Sequence, residues 1–220
     1  MTQIKICGLT SPADAAQASR AGAAYVGVIL AGGPRLLSVE RAGEVLNGAL
    51  PGVRRVAVFG AQDTETIRSI ANELTLDVIQ LHGDPTTKQI DRLRDDGRRA
   101  VWPVLRVEGT VLPSETLELA RAAGTLVLDA KVMGQLGGTG VPLDWAGLAG
   151  ALARMRAAVT ELRLVLAGGL RPGNVTHAIN VLLPDVVDVS SGVEQAPGIK
   201  DASLVEQFVS AVTAAKGIQG

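Results

Sequence analysis

The segment RLVLAGGLRPGNVTHAINVLLPDVVDVSSGVE, residues 163–194, contains one complete repeat of the pattern that decides the fold. A short apolar run ends at a Gly-Gly pair, a stretch of helical period begins near Pro172, and a second apolar run begins near Asp185. The first run, from Leu164 to Ala167, does not alternate between apolar and polar residues, as is typical of a parallel strand covered on both faces. The segment therefore predicts a strand–helix–strand unit.

The same alternation continues in both directions along the chain. We predict strands beginning near Ile4, Tyr25, Arg55, Asp77, Ala100, Thr125, Arg163 and Asp185. Helices are predicted to begin near Pro12, Val39, Thr64, Pro85, Ser114, Asp144, Pro172 and Ala202. Eight such units predict an α/β fold, a single-domain (β/α)8 TIM barrel spanning residues 1–220. A doubly wound open sheet is the alternative, but it seldom needs eight equivalent units in a chain of 220 residues.

Composition narrows the class of protein. Hydrophobic residues make up 47% of the chain and charged residues 20%, which excludes a disordered protein. The formal net charge of -1 predicts neither a nucleic-acid partner nor a membrane surface. One cysteine and two histidines predict no disulfide and no metal site. Because no apolar run approaches the roughly 20 residues of a membrane span, we expect a cytoplasmic protein.

Two glycine-containing loops indicate where an anion would bind. Gly168 and Gly169 follow the seventh strand, and Ser190, Ser191 and Gly192 follow the eighth. Active sites of (β/α)8 barrels lie at the carboxyl ends of the strands, and the loops after strands seven and eight form the recurrent phosphate site. Glycine lets backbone N–H groups approach an anion closely. One Gly-Gly pair alone would indicate only a turn, but two such loops on neighbouring strands predict a phosphate site.

Cys7 ends the first strand, where it could act as a general base. Side chains alternate along a strand, so Lys5 and Cys7 share one face while Ile4 and Ile6 share the other. Packing of the isoleucines against helices would turn Lys5 and Cys7 into the barrel. Because a nearby ammonium favours thiolate, we expect Lys5 to lower the pKa of the Cys7 thiol. The alternative is that Cys7 is a small buried hydrophobic residue.

Three further polar residues lie at the predicted strand ends. Asp129 closes the apolar sixth strand, either as a loop cap or as a partly buried general acid facing Cys7 across the barrel mouth. Arg35 lies in the glycine-rich loop after the second strand, where its planar guanidinium could bind a carboxylate or simply be solvated. His82, on the inward face of the fourth strand, is expected to shape the pocket or orient a ring.

The chain resembles the phosphoribosylanthranilate isomerase family of the ribulose-phosphate-binding barrels along nearly its whole length. The order and spacing of the motifs make the resemblance specific. These motifs are KICGLT (5–10), QLHG (80–83), LDA (128–130), GGTG (137–140) with DW (144–145), LAGGL (166–170) with NV (174–175), DVSSGVE (188–194), PG (197–198) and KD (200–201).

The resemblance implies a reaction and a role for several residues. The family performs an Amadori rearrangement of N-(5-phosphoribosyl)anthranilate to 1-(2-carboxyphenylamino)-1-deoxyribulose 5-phosphate in tryptophan biosynthesis. By this resemblance Asp129 would be the general acid, Cys7 the general base, and Arg35 the ligand of the anthranilate carboxylate. The partner would be a small phosphosugar whose phosphate rests on backbone amides after strands seven and eight. Neither a cofactor nor a metal is implied, because the imine nitrogen itself accepts the electrons.

The resemblance also implies a loop over the substrate, formed by Gly137, Gly138, Thr139 and Gly140. At residues 32–35 the chain departs from the family pattern, because the Gly-Gly-Pro-Arg loop is shorter and lacks an aromatic residue. We expect this departure to loosen the hold on the anthranilate ring without changing the reaction. We expect the protein to be a monomer or a homodimer.

Other functions stay open from the sequence. The histidine-pathway sugar isomerase pairs two aspartates and binds a second phosphate, whereas here the first strand ends in Cys7 and the third is followed by the single Gly60. We therefore expect no turnover of that substrate. A non-catalytic phosphosugar-binding barrel would keep the phosphate loops without an opposed acid and base. A redox role for Cys7 is a further alternative.

Overall fold

Eight parallel strands close into a barrel in chain order, with the first strand paired to the eighth. The structure is a computed structural model and describes residues 1–94, 97–130 and 143–215. The strands of the barrel are β1 (Gln3–Ile6), β2 (Tyr25–Ile29), β3 (Arg54–Phe59), β4 (Val78–Leu81), β5 (Ala100–Val107), β6 (Thr125–Ala130), β7 (Arg163–Leu166) and β8 (Val186–Val189). This closed sheet confirms the predicted (β/α)8 barrel and excludes the open doubly wound sheet.

A helix follows each strand of the barrel. The helices are α1 (Pro12–Ala21), α2 (Val39–Asn47), α3 (Thr64–Glu73), α4 (Thr87–Arg94), α5 (Thr116–Ala123), α6 (Trp145–Ala158), α7 (Val175–Leu182) and α8 (Ala202–Ala215). Side chains cap the first turns of two of these helices. Ser11, which precedes Pro12, accepts a hydrogen bond from the backbone N–H of Asp14 through Oγ, and Asp201 Oδ1 accepts one from the backbone N–H of Leu204. No helix within these ranges is long and apolar enough to cross a membrane.

The apolar residues form two layers, one outside the sheet and one inside it. The outer layer packs the strands against the helices and includes Ile4 and Ile6. The inner layer fills the barrel with the side chains of Tyr25, Val56, Val78, Trp102, Val104, Val127, Val165, Ala167 and Val186. Lys5 is fully buried and reaches Asp188 on the neighbouring β8, as expected from the alternation along β1.

One element of the fold has no counterpart in the sequence prediction. After β8 the chain makes a 3-10 turn at Ser191–Val193 and then a short antiparallel hairpin, β9 (Glu194–Ala196) and β10 (Ile199–Lys200), before α8 begins. Thr10 Oγ1, from the loop after β1, donates to the Gly198 carbonyl at 2.5 Å. The hairpin is thus held against the rim of the barrel at the carboxyl ends of the strands.

Candidate active site

A cavity opens at the carboxyl ends of the strands, as the fold predicts. The space between its lining residues is about 790 Å³, part of which is open solvent. Eight of the residues singled out from the sequence line this cavity: Cys7, Arg35, His82, Asp129, Gly168, Gly169, Ser190 and Ser191. Gly192 lies beside it in the 3-10 turn. The predicted substrate loop of Gly137, Gly138, Thr139 and Gly140 lies outside the described residues.

Cys7 and Lys5 meet at the floor of the cavity. A Cβ on Gly27 of β2 would lie 3.1 Å from Cys7 Sγ and 3.3 Å from Lys5 Nζ, so the absence of a side chain there leaves room for both groups. Lys5 Nζ donates to Asp188 Oδ2 at 2.7 Å. Burial works to lower the pKa of Lys5, but the charges of Asp188 and Cys7 outweigh it, so its pKa is raised and the ammonium stays protonated.

Lys5 by itself lowers the pKa of the Cys7 thiol, as expected, but its effect is outweighed. The pKa of the thiol is raised, first because the group is buried and further because the Asp188 carboxylate lies nearby. Lys5 does act in the expected direction, but Asp188 offsets much of its charge. β1 and β8 pair with Lys5 opposite Asp188, so the ammonium is neutralised by a residue 183 positions away. In the unliganded protein Cys7 is therefore a neutral thiol at neutral pH.

Asp129 lies at the end of β6 beside His82. Its Oδ2 is 3.2 Å from His82 Nε2, and both side chains are about nine-tenths buried. The contact places the carboxyl at the cavity wall, which it lines. His82 Nδ1 is buried and has no hydrogen-bond partner among the described residues.

The loop after β7 requires glycine at its first position. Gly168 has φ +85°, and a Cβ there would lie 2.9 Å from Asp129 Oδ1 and 2.7 Å from the Ala130 nitrogen. The chain can therefore pass directly beside the acid only without a side chain. Asn174 fixes the rest of the loop, since its amide donates to the Gly169 carbonyl at 2.9 Å. These contacts hold the backbone of the predicted phosphate loop in one shape.

Several polar atoms of the cavity lack a protein partner. Within the described ranges, six buried side-chain nitrogen or oxygen atoms have no hydrogen bond, and four of them belong to residues that line the cavity. The four are Gln80 Oε1, His82 Nδ1, Asp188 Oδ1 and Ser190 Oγ. Because buried polar groups are normally paired, this concentration indicates a surface built for a polar ligand.

Arg35 reaches the cavity, but its guanidinium is already paired. Nε and Nη2 donate to the two carboxylate oxygens of Glu194 at 2.8 and 2.6 Å. Glu194 also accepts from Lys200 Nζ at 2.6 Å. No role for Asp188, Glu194 or Lys200 was predicted from the sequence. Asp188 interrupts the apolar β8 on the inward face, and Glu194 and Lys200 lie within the DVSSGVE and KD motifs, which do not by themselves indicate a contact with Arg35.

The side chains around the cavity also determine whether it could hold a metal or a cofactor. Across residues 1–94, 97–130 and 143–215, no three His, Cys, Asp or Glu side chains come together as metal ligands. The polar groups of the cavity include two carboxyls, a thiol, an imidazole, an amide and a guanidinium, together with residues of the two glycine- and serine-containing loops. A closed (β/α)8 barrel with these groups at the carboxyl ends of its strands belongs to the class of barrel enzymes that bind small polar ligands.

Comparison with known proteins narrows this class to one family. The family model of N-(5'-phosphoribosyl)anthranilate isomerase matches residues 4–211. The chain is 43% identical over 213 residues to the N-(5'-phosphoribosyl)anthranilate isomerase of Rubrobacter xylanophilus, covering 96% of this chain and 98% of that one. The chain belongs to the phosphoribosylanthranilate isomerase family. The predictions of an isomerase enzyme and of a role in tryptophan biosynthesis are thereby confirmed.

Solved structures agree in fold over the full length. The phosphoribosyl anthranilate isomerase of Thermotoga maritima superposes with a TM-score of 0.84 at 32% identity, covering 99% of this chain and 100% of that one. A second structure, with a TM-score of 0.81, 32% identity and the same coverage, is a phosphoribosyl anthranilate isomerase in complex with reduced 1-(o-carboxyphenylamino)-1-deoxyribulose 5-phosphate. The Thermotoga maritima enzyme is described as dimeric in a further structure.

Proposed function

We propose that this chain converts N-(5'-phosphoribosyl)anthranilate to 1-(2-carboxyphenylamino)-1-deoxyribulose 5-phosphate by general acid–base catalysis, with Asp129 as the acid and Cys7 as the base. The observation that carries this proposal is one cavity lined at the same time by Cys7, Asp129 and the two glycine- and serine-containing loops. Family membership supports the overall reaction, and the geometry supports the division of roles.

The first step opens the sugar ring. Asp129 gives its proton to the ring oxygen as the bond between that oxygen and C1 breaks, and the electron pair of the anthranilate nitrogen forms a C1–N double bond. The product of this step is a protonated Schiff base, and Asp129 is left as a carboxylate. His82, 3.2 Å from Asp129 Oδ2, holds the carboxyl in place while its protonation changes. Proton transfer of this kind typically contributes 10²–10⁴-fold to a rate.

The second step removes a proton from C2 of the sugar. Cys7 takes the proton, the C2 electron pair forms a C1–C2 double bond, and the C1–N double bond becomes a single bond, giving the enolamine. Burial raises the pKa of the Cys7 thiol and disfavours its charged form. The positively charged Schiff base brings a cation into the cavity and so favours loss of the thiol proton to solvent, which leaves the thiolate that then accepts the C2 proton. The enolamine then becomes the ketone by proton return to C1 and loss of the hydroxyl proton at C2.

The phosphate and the carboxylate of the substrate are bound by different groups of the cavity. The phosphate is held by backbone N–H groups of the loops at Gly168–Gly169 and Ser190–Gly192, and the unpaired Ser190 Oγ is one side-chain donor for it. The carboxylate of the anthranilate is held by Arg35. Anchoring both ends places C2 of the sugar over Cys7.

We further infer a cytoplasmic enzyme that acts on a small molecule without a nucleic-acid partner, as a monomer or a homodimer. The near-neutral charge of the chain supports the absence of a nucleic-acid partner, and its single cysteine supports the cytoplasmic location. The dimeric relative from Thermotoga maritima supports a homodimer. Sedimentation velocity at micromolar concentration distinguishes the two oligomeric states.

The direct test is turnover of N-(5'-phosphoribosyl)anthranilate, followed by its fluorescence and by chromatography of the product. We expect full conversion by the wild-type chain and loss of turnover, with retained substrate binding, in Cys7→Ser. Equal turnover by Cys7→Ser would remove Cys7 from the base role and leave the redox alternative open. Absence of conversion by the folded wild-type chain would overturn the function itself.

A further inference from the structure

Glu194 is the residue on which the charged groups at the rim of the cavity converge. Its two carboxylate oxygens accept from Arg35 Nε at 2.8 Å and from Arg35 Nη2 at 2.6 Å. Lys200 Nζ donates to Oε1 at 2.6 Å and to the Ser190 carbonyl at 3.1 Å. The side chain of Glu194 is only 4% exposed and that of Arg35 only 11%. This is therefore a buried charge network, unlike a mobile pair at the surface.

The carboxylate of Glu194 stays ionised in this position. Burial alone would raise its pKa, but the hydrogen bonds and charges of Arg35 and Lys200 outweigh burial and leave the pKa below its usual value. The hydrogen bond to Glu194 in turn raises the pKa of Arg35. Bonds in which both partners are charged are shorter and stronger than neutral ones. The Arg35 side chain is thus held in one orientation.

Glu194 occupies one edge of the Arg35 guanidinium, and the other edge is available to a ligand. A guanidinium can bind a carboxylate through Nε and Nη2 or through Nη1 and Nη2. Glu194 uses the first of these edges, and Nη1 takes no part in that contact. Arg35 lines the cavity while Glu194 does not, so the carboxylate binds the guanidinium from behind the cavity wall.

The backbone around Arg35 is shaped to fit this orientation. A Cβ on Gly8 would lie 2.6 Å from Arg35 Cδ and 2.7 Å from Ser190 Oγ, so the arginine lies directly on the chain next to Cys7. The hairpin that carries Lys200 is fixed by the bond from Thr10 Oγ1 to the Gly198 carbonyl. Residues of the loop after β1 and of the stretch from Ser190 to Lys200 therefore together determine the position of one guanidinium.

We propose that Glu194 is a positioning residue for substrate binding: it fixes the plane of the Arg35 guanidinium so that the edge formed by Nη1 and Nη2 receives the substrate carboxylate, and Lys200 holds Glu194 in place. This proposal rests on the proposed function, in which Arg35 binds that carboxylate. It explains how the glycine-containing loop at residues 32–35 presents its arginine, since Glu194 of the hairpin beyond β8 holds the guanidinium.

The test is a double-mutant cycle with Glu194→Gln, Arg35→Ala and both together, measured as KM and kcat for N-(5'-phosphoribosyl)anthranilate. Glutamine keeps the size of the side chain and removes its charge. We expect Glu194→Gln to raise KM about tenfold, equivalent to ~1.4 kcal/mol, with kcat changed less than about threefold. In the Arg35→Ala background the same substitution should leave KM unchanged, because Glu194 acts only through Arg35.

Two controls distinguish a failure of the positioning role from a failure of the proposed function. Inorganic phosphate, tested as a competitive inhibitor, should bind Glu194→Gln as tightly as wild type, since the phosphate loops are untouched. Lys200→Met should raise KM in the same direction by a smaller factor, and it provides a second variant if Glu194→Gln fails to fold. Equal effects of Glu194→Gln with and without Arg35 would overturn the positioning role. A wild-type chain that does not turn over the substrate would instead overturn the proposed function.

Discussion

The polar groups at the two ends of the barrel differ in their hydrogen bonding. At the amino ends of the strands, Gln3 Oε1 accepts from the Tyr25 hydroxyl at 3.1 Å and from Arg54 Nη2 and Arg163 Nη2 at 3.0 Å each. Arg54 lies 3.8 Å above the Tyr25 ring, which contacts Trp102 edge-on with 5.0 Å between ring centroids. Most polar groups at this end are paired with one another, and the exception is Trp102 Nε1, which is buried without a partner among the described residues.

At the carboxyl ends of the strands, several buried polar groups make no hydrogen bond to the described residues. Gln80 Oε1, Asp188 Oδ1 and Ser190 Oγ are buried without a partner among the described residues, and they line the cavity with Cys7 and Asp129. The difference predicts that one end contributes mainly to stability and the other to catalysis. Substitutions at the two ends should therefore separate turnover from the free energy of unfolding.

The largest expected effect is at the carboxyl end. Asp129→Asn keeps the shape of the side chain and its contact with His82 but removes the proton donor. We expect kcat to fall by about 10³-fold, within the range typical of general acids, while the melting temperature by circular dichroism changes little. A loss of less than tenfold, or a large drop in melting temperature, would contradict the separation of the two ends.

The second prediction concerns pH and Cys7. A base works in its deprotonated form, and the raised pKa of Cys7 means that the thiolate fraction of the free enzyme increases as pH rises past neutrality. We therefore expect kcat/KM, which reports the free enzyme, to increase between about pH 7 and 9.

The control for this pH dependence is Cys7→Ser, whose hydroxyl does not titrate in that range. Its residual activity should be about 100-fold lower and should not show the same increase with pH. A wild-type profile that is already flat at pH 7 would indicate a thiol with a lowered pKa, or a different base.

The third prediction concerns the amino end. Gln3→Ala removes the oxygen shared by Tyr25, Arg54 and Arg163. Leaving these donors unpaired should lower the free energy of unfolding by about 1–3 kcal/mol, or roughly 2–4 °C per kcal/mol in a domain of this size. We expect kcat at 25 °C to stay within about twofold of wild type. A large loss of kcat in the folded variant would show that the two ends are coupled.

The smallest expected effect provides the baseline for the others. Glu65 lies near the start of α3 and pairs with Arg68 at 3.1 Å, with 75% of its side chain exposed. Glu65→Ala should change the free energy of unfolding by no more than about 0.5 kcal/mol and should leave kcat and KM unchanged. Thermal melting and the substrate assay check both values. A kinetic effect here would mean that the cavity alone does not define the active site.

The sequence by itself determined the repeat, the barrel and the end of the barrel that carries the site. Apolar runs and helical periods are local properties, so the starts of the strands at Tyr25, Ala100 and Thr125 were predicted at the residue. The positions of Cys7 and Asp129 at strand ends followed from the same local pattern. For this reason the sequence alone is enough to identify the two groups proposed for catalysis.

The tertiary structure alone decided the charges around those groups. Lys5 was read as an activating ammonium, but Asp188, which neutralises it, lies 183 residues away and is brought to 2.7 Å by the pairing of β1 with β8. Glu194 is 159 residues from Arg35 and reaches it only through the hairpin beyond β8. A pKa or an orientation depends on burial and on the sum of nearby charges, and that sum exists only after distant strands have been placed side by side.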